Sequence, residues 1–292
     1  MIVITGATGK LGGLVLSHLV RLVPPSTVGI SVRDPSKISS IQSLVSQGLS
    51  VRRGDYTDPG SLDKAFDGAE TLLLVSSNNH DMSAGVLEHK NAIDAAKRAG
   101  VKTVYYTSHM ASSATSKFAA AKYSHAPTEE YLAQSGLGWV SLRDGFHADS
   151  MKFLAGSPEH TGVIRTPKDG KVYWATHEDL AECIAILLSE KSPRFNGPTP
   201  PLAGRDGVTF KDVAEKLTDI LGKEVRYEEI SDEEYKAGLV GYGVPEMMAD
   251  MLVGMFAASR DGEFGTNDGT LEKIIGRKSI SVDEYLRGAF AQ

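Results

Sequence analysis

The chain begins Met1-Ile-Val-Ile-Thr5-Gly6-Ala7-Thr8-Gly9-Lys10-Leu11-Gly12-Gly13-Leu14, and no other stretch limits the fold so tightly. Four apolar residues in a row predict a strand buried on both faces. The glycine-broken turn after them runs into helical apolar spacing, with Leu11, Leu14, Val15, Leu19 and Val20 on one side. A helix entered this way leaves first-turn N–H groups without intrahelical acceptors, and its dipole adds partial positive charge there. An anion belongs in front of it. Gly6 permits the bend, Gly9 has no side chain to hold a pyrophosphate off the backbone, and Gly12 lets helix lie close on strand. The spacing is G-x-x-G-x-x-G rather than G-x-G-x-x-G. Such turns also occur without a nucleotide, so the weight rests on this one's place straight after an apolar strand.

Further strands are expected at Val28–Val32, Leu49–Arg53, Thr71–Val75, Val101–Tyr106 and Trp139–Leu142, with helical spacing between them. The alternation implies right-handed crossovers and a Rossmann-type doubly wound parallel α/β sheet. Ligands in such sheets lie at the carboxyl ends of strands. Strand two ends on Arg33-Asp34-Pro35-Ser36-Lys37, where a basic residue pairs with a 2′-phosphate and an acidic one with a 2′-hydroxyl. Arg33 with Lys37 favours NADP; Asp34 keeps NAD in play, and Arg33 also reads as a solvated strand end. Asp55 and Tyr56 after strand three suit an adenine amino group and ring, although Asp55 alone also fits a turn. Ser76, Ser77 and Asn78 end strand four, and Thr107 and His109 end strand five.

From Ala111 to Ala121 a Ser-, Ala- and Thr-rich composition suggests a mobile loop. Helix spacing resumes near Ser124 and stops at Gly136. Past residue 150 the rhythm changes, with breaks at Gly156, Gly162, Pro167 and Gly170. A helix through Leu180 to Leu188, a Pro-rich connection, a helix from Phe210 to Leu221, a strand from Glu224 to Ile230 and helices thereafter follow. This divides the chain into 1–150, a cofactor domain whose sheet is completed by part of 170–205, and 151–292, a smaller mixed α/β lobe on the substrate side.

At 292 residues either part can bury a core. The single cysteine, Cys183, excludes an internal disulfide and sits in helix-core spacing. The net charge of −6 is mild and the basic residues are dispersed, which argues against nucleic acid. No stretch approaches a membrane span and no leader pattern opens the chain, so a cytoplasmic protein is expected.

The reaction is less plainly written. Short-chain dehydrogenases usually supply a Tyr with a Lys four residues on, but none of the ten tyrosines here has that partner. The histidines show no metal-ligand spacing, and no metal is expected. Glu129 and Glu130 share a helix and read as solvated. What remains is hydride transfer to an acceptor needing little proton help, and a quinone fits.

The ordered set TGATGKLG, VRDPSK, RRGDYTD, LLLVSSN, AAKRAGVK with YTS, SHAPTEEYLAQSGL, SLRDGF and ADML resembles the NmrA-like atypical short-chain dehydrogenases. Within them it is most similar to the type-2 NADPH:quinone oxidoreductases, essentially end to end. The resemblance implies NADPH in a cleft and two-electron quinone reduction, with monomer or homodimer both allowed. It implies that Gly6, Ala7, Thr8, Gly9, Lys10 and Leu11 hold the pyrophosphate and Arg33 the 2′-phosphate. Ser76, Ser77 and Asn78 line the nicotinamide half, and Asp144, Gly145, Phe146 and His147 continue the cofactor cleft. Trp174, Ala175 and Thr176 border the quinone, and His109 and His125 are counted with them. Where the family commonly reads R-N-G-W-Y, this chain has Arg143-Asp-Gly-Phe-His147, which changes polarity at the nicotinamide end. His147 is either a proton donor or a pocket-wall residue. Two other readings stand beside quinone reduction: a redox sensor that binds NAD(P) without turnover, and a carbonyl, azo or enone reductase using His125, His147 or Lys122.

Overall fold

The computed structural model describes residues 1–38 and 41–290. It forms two compact units. The first comprises Met1–Ser108, Tyr123–Arg143 and His177–Pro200; the second comprises His109–Lys122, Asp144–Thr176 and the chain from Pro201 onward. Segments 109–122 and 177–200 thus each belong with the part of the chain on the far side of residue 150.

In chain order the elements are β1 (Ile2–Thr5), α1 (Lys10–Leu22), β2 (Val28–Val32), α2 (Gln42–Ser46), β3 (Ser50–Arg53), α3 (Pro59–Phe66), β4 (Thr71–Leu74), α4 (Met82–Arg98), β5 (Thr103–His109), α5 (Ala126–Gln134) and β6 (Gly138–Asp144). Then come β7 (Phe146–His147), α6 (Ala148–Ala155), α7 (Pro158–Thr161), β8 (Val163–Pro167), β9 (Val172–Ala175), α8 (His177–Ser189) and β10 (Gly197–Pro198). The last are β11 (Gly207–Val208), α9 (Phe210–Leu221), β12 (Arg226–Ile230), α10 (Asp232–Gly241), α11 (Glu246–Arg260), α12 (Thr270–Ile275) and α13 (Val282–Phe290).

The first unit is a Rossmann-type parallel sheet in the order β10-β6-β5-β4-β1-β2-β3. The order reverses between β1, which pairs with β2 through Ile2↔Val28, and β4, paired through Ile2↔Thr71. That reversal puts the ends of β1 and β4 at the switch point where such sheets bind ligands. Strands buried on both faces need helices on both. Val3, Leu72, Leu74, Val104 and Tyr106 cluster with Leu62 and Phe66 of α3, Ile93 of α4 and Leu132 of α5. Ile4, also fully buried, lies outside that cluster, as the two-residue period of a strand requires. Helices α1 and α8 pack on each other, with Leu11, Val15, Leu16 and Leu19 buried in one and Leu180, Cys183, Ile184 and Leu187 in the other. Each such side chain contributes about 1.5–3 kcal/mol by leaving water.

In the second unit β11, β9 and β7 form one sheet, and β12 pairs in parallel with β8. Its core is aromatic, with Phe118, Phe146, Trp174, Phe210, Phe256 and Phe264 buried together. The segment expected to be a mobile loop is anchored here. Ser116 Oγ donates to Glu263, the Lys117 amide donates to the same carboxylate at 2.8 Å, and Phe118 is 6% exposed within the aromatic core. Its small residues permit close docking, which composition alone does not distinguish from mobility. No helix among the described residues is long and apolar enough to cross a membrane.

Candidate functional site

In the first unit, β1 delivers Gly6 at φ +62°, where an L side chain is strained, and a Cβ there would stand 3.0 Å from Val75. The Gly9 amide closes the turn onto the Gly6 carbonyl at 2.9 Å, and Gly9 then serves as N-cap of α1 with no side-chain cap. The first turn holds no acidic residue, and the Gly13 amide makes the first bond back to Gly9, at 3.0 Å. Gly12 lies against Gly6, where a Cβ would come within 2.8 Å of the carbonyl carbon. A partly positive backbone cradle with no carboxylate of its own suits a diphosphate. The side chains of Ala7 and Leu11 are buried, so those residues offer only backbone, while Thr8 and Lys10 are exposed.

Thr5, not singled out in the sequence, fixes this turn on the sheet. Its hydroxyl donates to Leu73 O at 3.0 Å and accepts from the Val75 amide at 2.9 Å. The Tyr56 hydroxyl lies within hydrogen-bond distance of both Thr5 Oγ1 and Val75 O, at 2.6 and 2.7 Å, and burial raises its pKa above the phenolic range. Tyr56 is therefore a strut under the β1 and β4 ends, whatever its ring also covers.

Arg33 is exposed just past β2 and has no hydrogen bond or ion pair among the described residues. Its charge nevertheless reaches Asp55, whose pKa is lowered first by the Thr57 amide and also by Arg33 and Arg53. Asp55 Oδ1 accepts from Thr57 N at 2.9 Å and Thr57 Oγ1 at 2.8 Å, the turn role left open by the sequence. Asp34 Oδ1 is engaged by Ser36 N at 3.0 Å and Ser36 Oγ at 2.6 Å. The acidic side chain that kept NAD in play is thus a turn cap, and the guanidinium beside it is the exposed group. The Lys37 side chain lies outside what the structure describes.

At the ends of β4 and β5, the Ser76 amide donates to Thr107 Oγ1 at 2.8 Å and the Ser77 amide to His89 Nε2 at 2.7 Å. Ser77 Oγ donates to Glu88, which also accepts from Asn79 Nδ2 at 2.8 Å; Asn78 is exposed. His89 was missed because a lone histidine on an amphipathic helix reads as surface. It is fully buried, and burial pushes its pKa down to about 3. His125 lies in a single π-helical turn, Ala121–His125, ahead of α5. Its Nδ1 is 2.9 Å from the Tyr106 hydroxyl, and burial lowers its pKa to about 4 against the opposing charge of Glu129.

Glu129 corrects the expectation of a solvated carboxylate. It is 7% exposed and accepts from Ser108 Oγ at 2.7 Å, Ser141 Oγ at 2.6 Å and Arg143 Nη2 at 2.7 Å. Glu130, next to it, is exposed.

The remaining candidates belong to the second unit. His109 Nδ1 accepts from the Ala111 amide at 3.2 Å, which puts the hydrogen of the neutral ring on Nε2. The ring sits among Phe118, Phe146 and Phe264, with centroids 5.2, 5.4 and 5.5 Å away. Asp144 is 3% exposed, its Oδ1 has no hydrogen-bond partner among the described residues, and burial raises its pKa well above the carboxylate range. Gly145 permits close approach to Ala203, which a Cβ would meet at 3.0 Å. Phe146 and His147 pair with Trp174 and Ala175 across β7 and β9. Trp174 and Ala175 are buried, the indole stacked edgewise on Phe146 and Phe210, while His147 and Thr176 are half-buried.

The chain as a whole is similar to known proteins. Quinone oxidoreductase 2 of Escherichia coli (strain K12) is 37% identical over 293 residues, 99% of each chain. The solved structure of the E. coli NADPH-dependent quinone oxidoreductase complexed with NADPH matches with a TM-score of 0.91 at 36% identity, covering 99% of this chain and 100% of that one. Citrobacter sp. triphenylmethane reductase complexed with NADP(H) matches with a TM-score of 0.88 at 33% identity, covering 99% and 100%. The model of the NmrA-like family matches residues 1–286. With the glycine turn, the reversed strand order and this end-to-end match in hand, the chain belongs to the NmrA-like family.

Proposed function

We propose that the chain is an NADPH-dependent oxidoreductase that passes hydride to a quinone. The observation carrying this reading is the pairing, in one sheet, of an uncapped α1 amino end with an exposed guanidinium at Arg33 whose acidic neighbour is already committed to a turn. The name of the E. coli quinone oxidoreductase, matched both as a sequence and as a solved structure, supports the acceptor class.

In this reading the turn Gly6–Leu11 holds the pyrophosphate through backbone amides, and Arg33, with Lys37, pairs with the 2′-phosphate. Asp55 and Tyr56 bound the adenine; Ser76, Ser77, Asn78 and Thr107 form the nicotinamide side. Bound there, NADPH supplies a hydride, two electrons in one transfer. Asp144, Gly145, Phe146 and His147 are assigned to the cofactor, and His109, His125, Trp174, Ala175 and Thr176 to the acceptor. His147 holds a proton on its ring for the reduced oxygen; one hydride, carrying both electrons and one of the two hydrogens gained, and that one proton together convert quinone to hydroquinone. A cytoplasmic setting goes with this reading, and so does either a monomer or a homodimer.

The test is spectrophotometric: purified protein with NADPH and benzo- or naphthoquinones should oxidise NADPH faster than NADH at equal concentration, and His147→Ala should lower kcat more than KM. Absence of NADPH oxidation with every quinone overturns the reading. A triphenylmethane dye is a second acceptor class, favoured by the match to the Citrobacter reductase.

A further inference from the structure

In the first unit both ring nitrogens of the buried His89 are engaged. A backbone N–H can only donate, so the 2.7 Å contact with Ser77 N fixes a lone pair on His89 Nε2. The neutral ring then carries its hydrogen on Nδ1, directed at Thr128 Oγ1, 2.9 Å away. The Thr128 hydroxyl passes its own hydrogen to Ser124 O at 2.8 Å. Every hydrogen in this buried line therefore points one way, and the edge of Tyr106, 5.2 Å off, closes the ring's flank. A line with one protonation state and one direction holds its first member rigidly.

That first member is the peptide between Ser76 and Ser77. No peptide bond among the described residues is cis, so the Ser76 carbonyl points opposite to the Ser77 N–H. With the N–H drawn toward α4 by His89, the carbonyl is turned away from α4. The preceding amide, Ser76 N, is held separately by Thr107 at 2.8 Å, so both peptide planes are pinned. An outward carbonyl at the end of β4 is an acceptor for a primary amide, and the nicotinamide carboxamide carries such a donor.

We propose that His89 is a positioning residue which, by holding the Ser77 amide, presents the Ser76 carbonyl to the nicotinamide carboxamide. This rests on the NADPH reading above. His89 touches neither cofactor nor acceptor in this role, and acts only through the peptide plane.

Asparagine mimics the Nδ1 side of the ring and glutamine the Nε2 side. His89→Asn therefore loses the acceptor for Ser77, and His89→Gln keeps it. The experiment measures the affinity of each variant, by titration calorimetry, for NADPH and for 2′-phospho-ADP-ribose, which lacks nicotinamide, with unliganded melting recorded alongside. The expected result is NADPH binding weakened about tenfold in His89→Asn, with the truncated ligand within about twofold of wild type and both ligands near wild type in His89→Gln. Equal weakening of both ligands, or of neither, overturns the positioning role. Should His89→Asn not fold, His89→Leu, which also removes the acceptor for the Ser77 amide, is held to the same selective loss, and unchanged NADPH affinity there overturns the proposal. Wild-type protein that binds the truncated ligand but not NADPH overturns it too. Binding of neither ligand by wild type marks failure of the cofactor reading itself.

Discussion

Gly12 is seated on Gly6 so closely that a Cβ on the helix residue would come within 2.8 Å of the turn's carbonyl carbon and closer still to its oxygen. The neighbouring atoms are backbone and cannot swing aside. Gly12→Ala is therefore expected to cost about 1–3 kcal/mol of stability and to open the turn, weakening NADPH as well. Gly9→Ala, at an exposed position 3.3 Å from the same carbonyl oxygen, is expected to melt near wild type and still lose NADPH affinity. Differential scanning calorimetry with cofactor titration checks both; a Gly12→Ala protein unchanged in both respects contradicts the close packing.

Arg33→Ala tests the phosphate assignment. Loss of a charge-assisted pair is expected to weaken NADPH by about 1–3 kcal/mol while leaving NADH affinity unaltered. Because Arg33 has no partner within the described protein, its removal should not move the melting temperature. Equal NADPH affinity in variant and wild type rules out the 2′-phosphate role.

Glu129→Ala removes the acceptor shared by Ser108, Ser141 and Arg143. The Arg143 side chain, 28% exposed, is left with an unpaired charge, and a loss of about 3–5 kcal/mol is expected in urea denaturation. A change below about 1 kcal/mol would show that water replaces the carboxylate at little cost.

Asp169 sets a pH dependence. Burial raises its pKa to about 6, with Asp212 and Glu229 adding repulsion and the Phe210 amide opposing the shift. The unfolded value is about 3.9, so between roughly pH 4 and 6 the folded protein holds a proton that the unfolded chain has released. Stability from this group is present below about pH 4 and is lost as pH rises through about 6. Asp169→Asn keeps an acceptor for Phe210 N and removes the ionisation. It is expected to be about 1–2 kcal/mol more stable than wild type at pH 7.5, after discounting for partial solvation, and equal to it near pH 4. A pH-independent difference in urea midpoints would remove Asp169 as the cause.

Much of the first unit was legible because its signals are local. The run Ile2 to Thr5, the glycine turn and the apolar spacing of Leu11, Val15 and Leu19 each concern neighbours along the chain, and β1, α1 and the strand at Val28–Val32 lie where periodicity puts them. The same locality explains the errors. Ala111 to Ala121 looked mobile because its composition is that of a loop, while its anchor, Glu263, lies far away in sequence. Glu129 looked solvated because its partners Ser108, Ser141 and Arg143 come from two other strands. His89 carried no signal, since the amide that needs it belongs to Ser77 and the hydroxyl that orients it to Thr128.

By itself the sequence determined a parallel nucleotide-binding sheet, the turn that opens it and the basic residue after its second strand, because period, glycine placement and charge order are properties of adjacent residues. Only the tertiary structure decided which polar groups are buried and what they hold. Thr5 and Tyr56 brace β1 and β4, Asp34 is committed to its own turn, and Glu129 gathers three partners from two strands. A side chain's ionisation and hydrogen-bond direction depend on desolvation by residues far along the chain, and that environment exists only after folding.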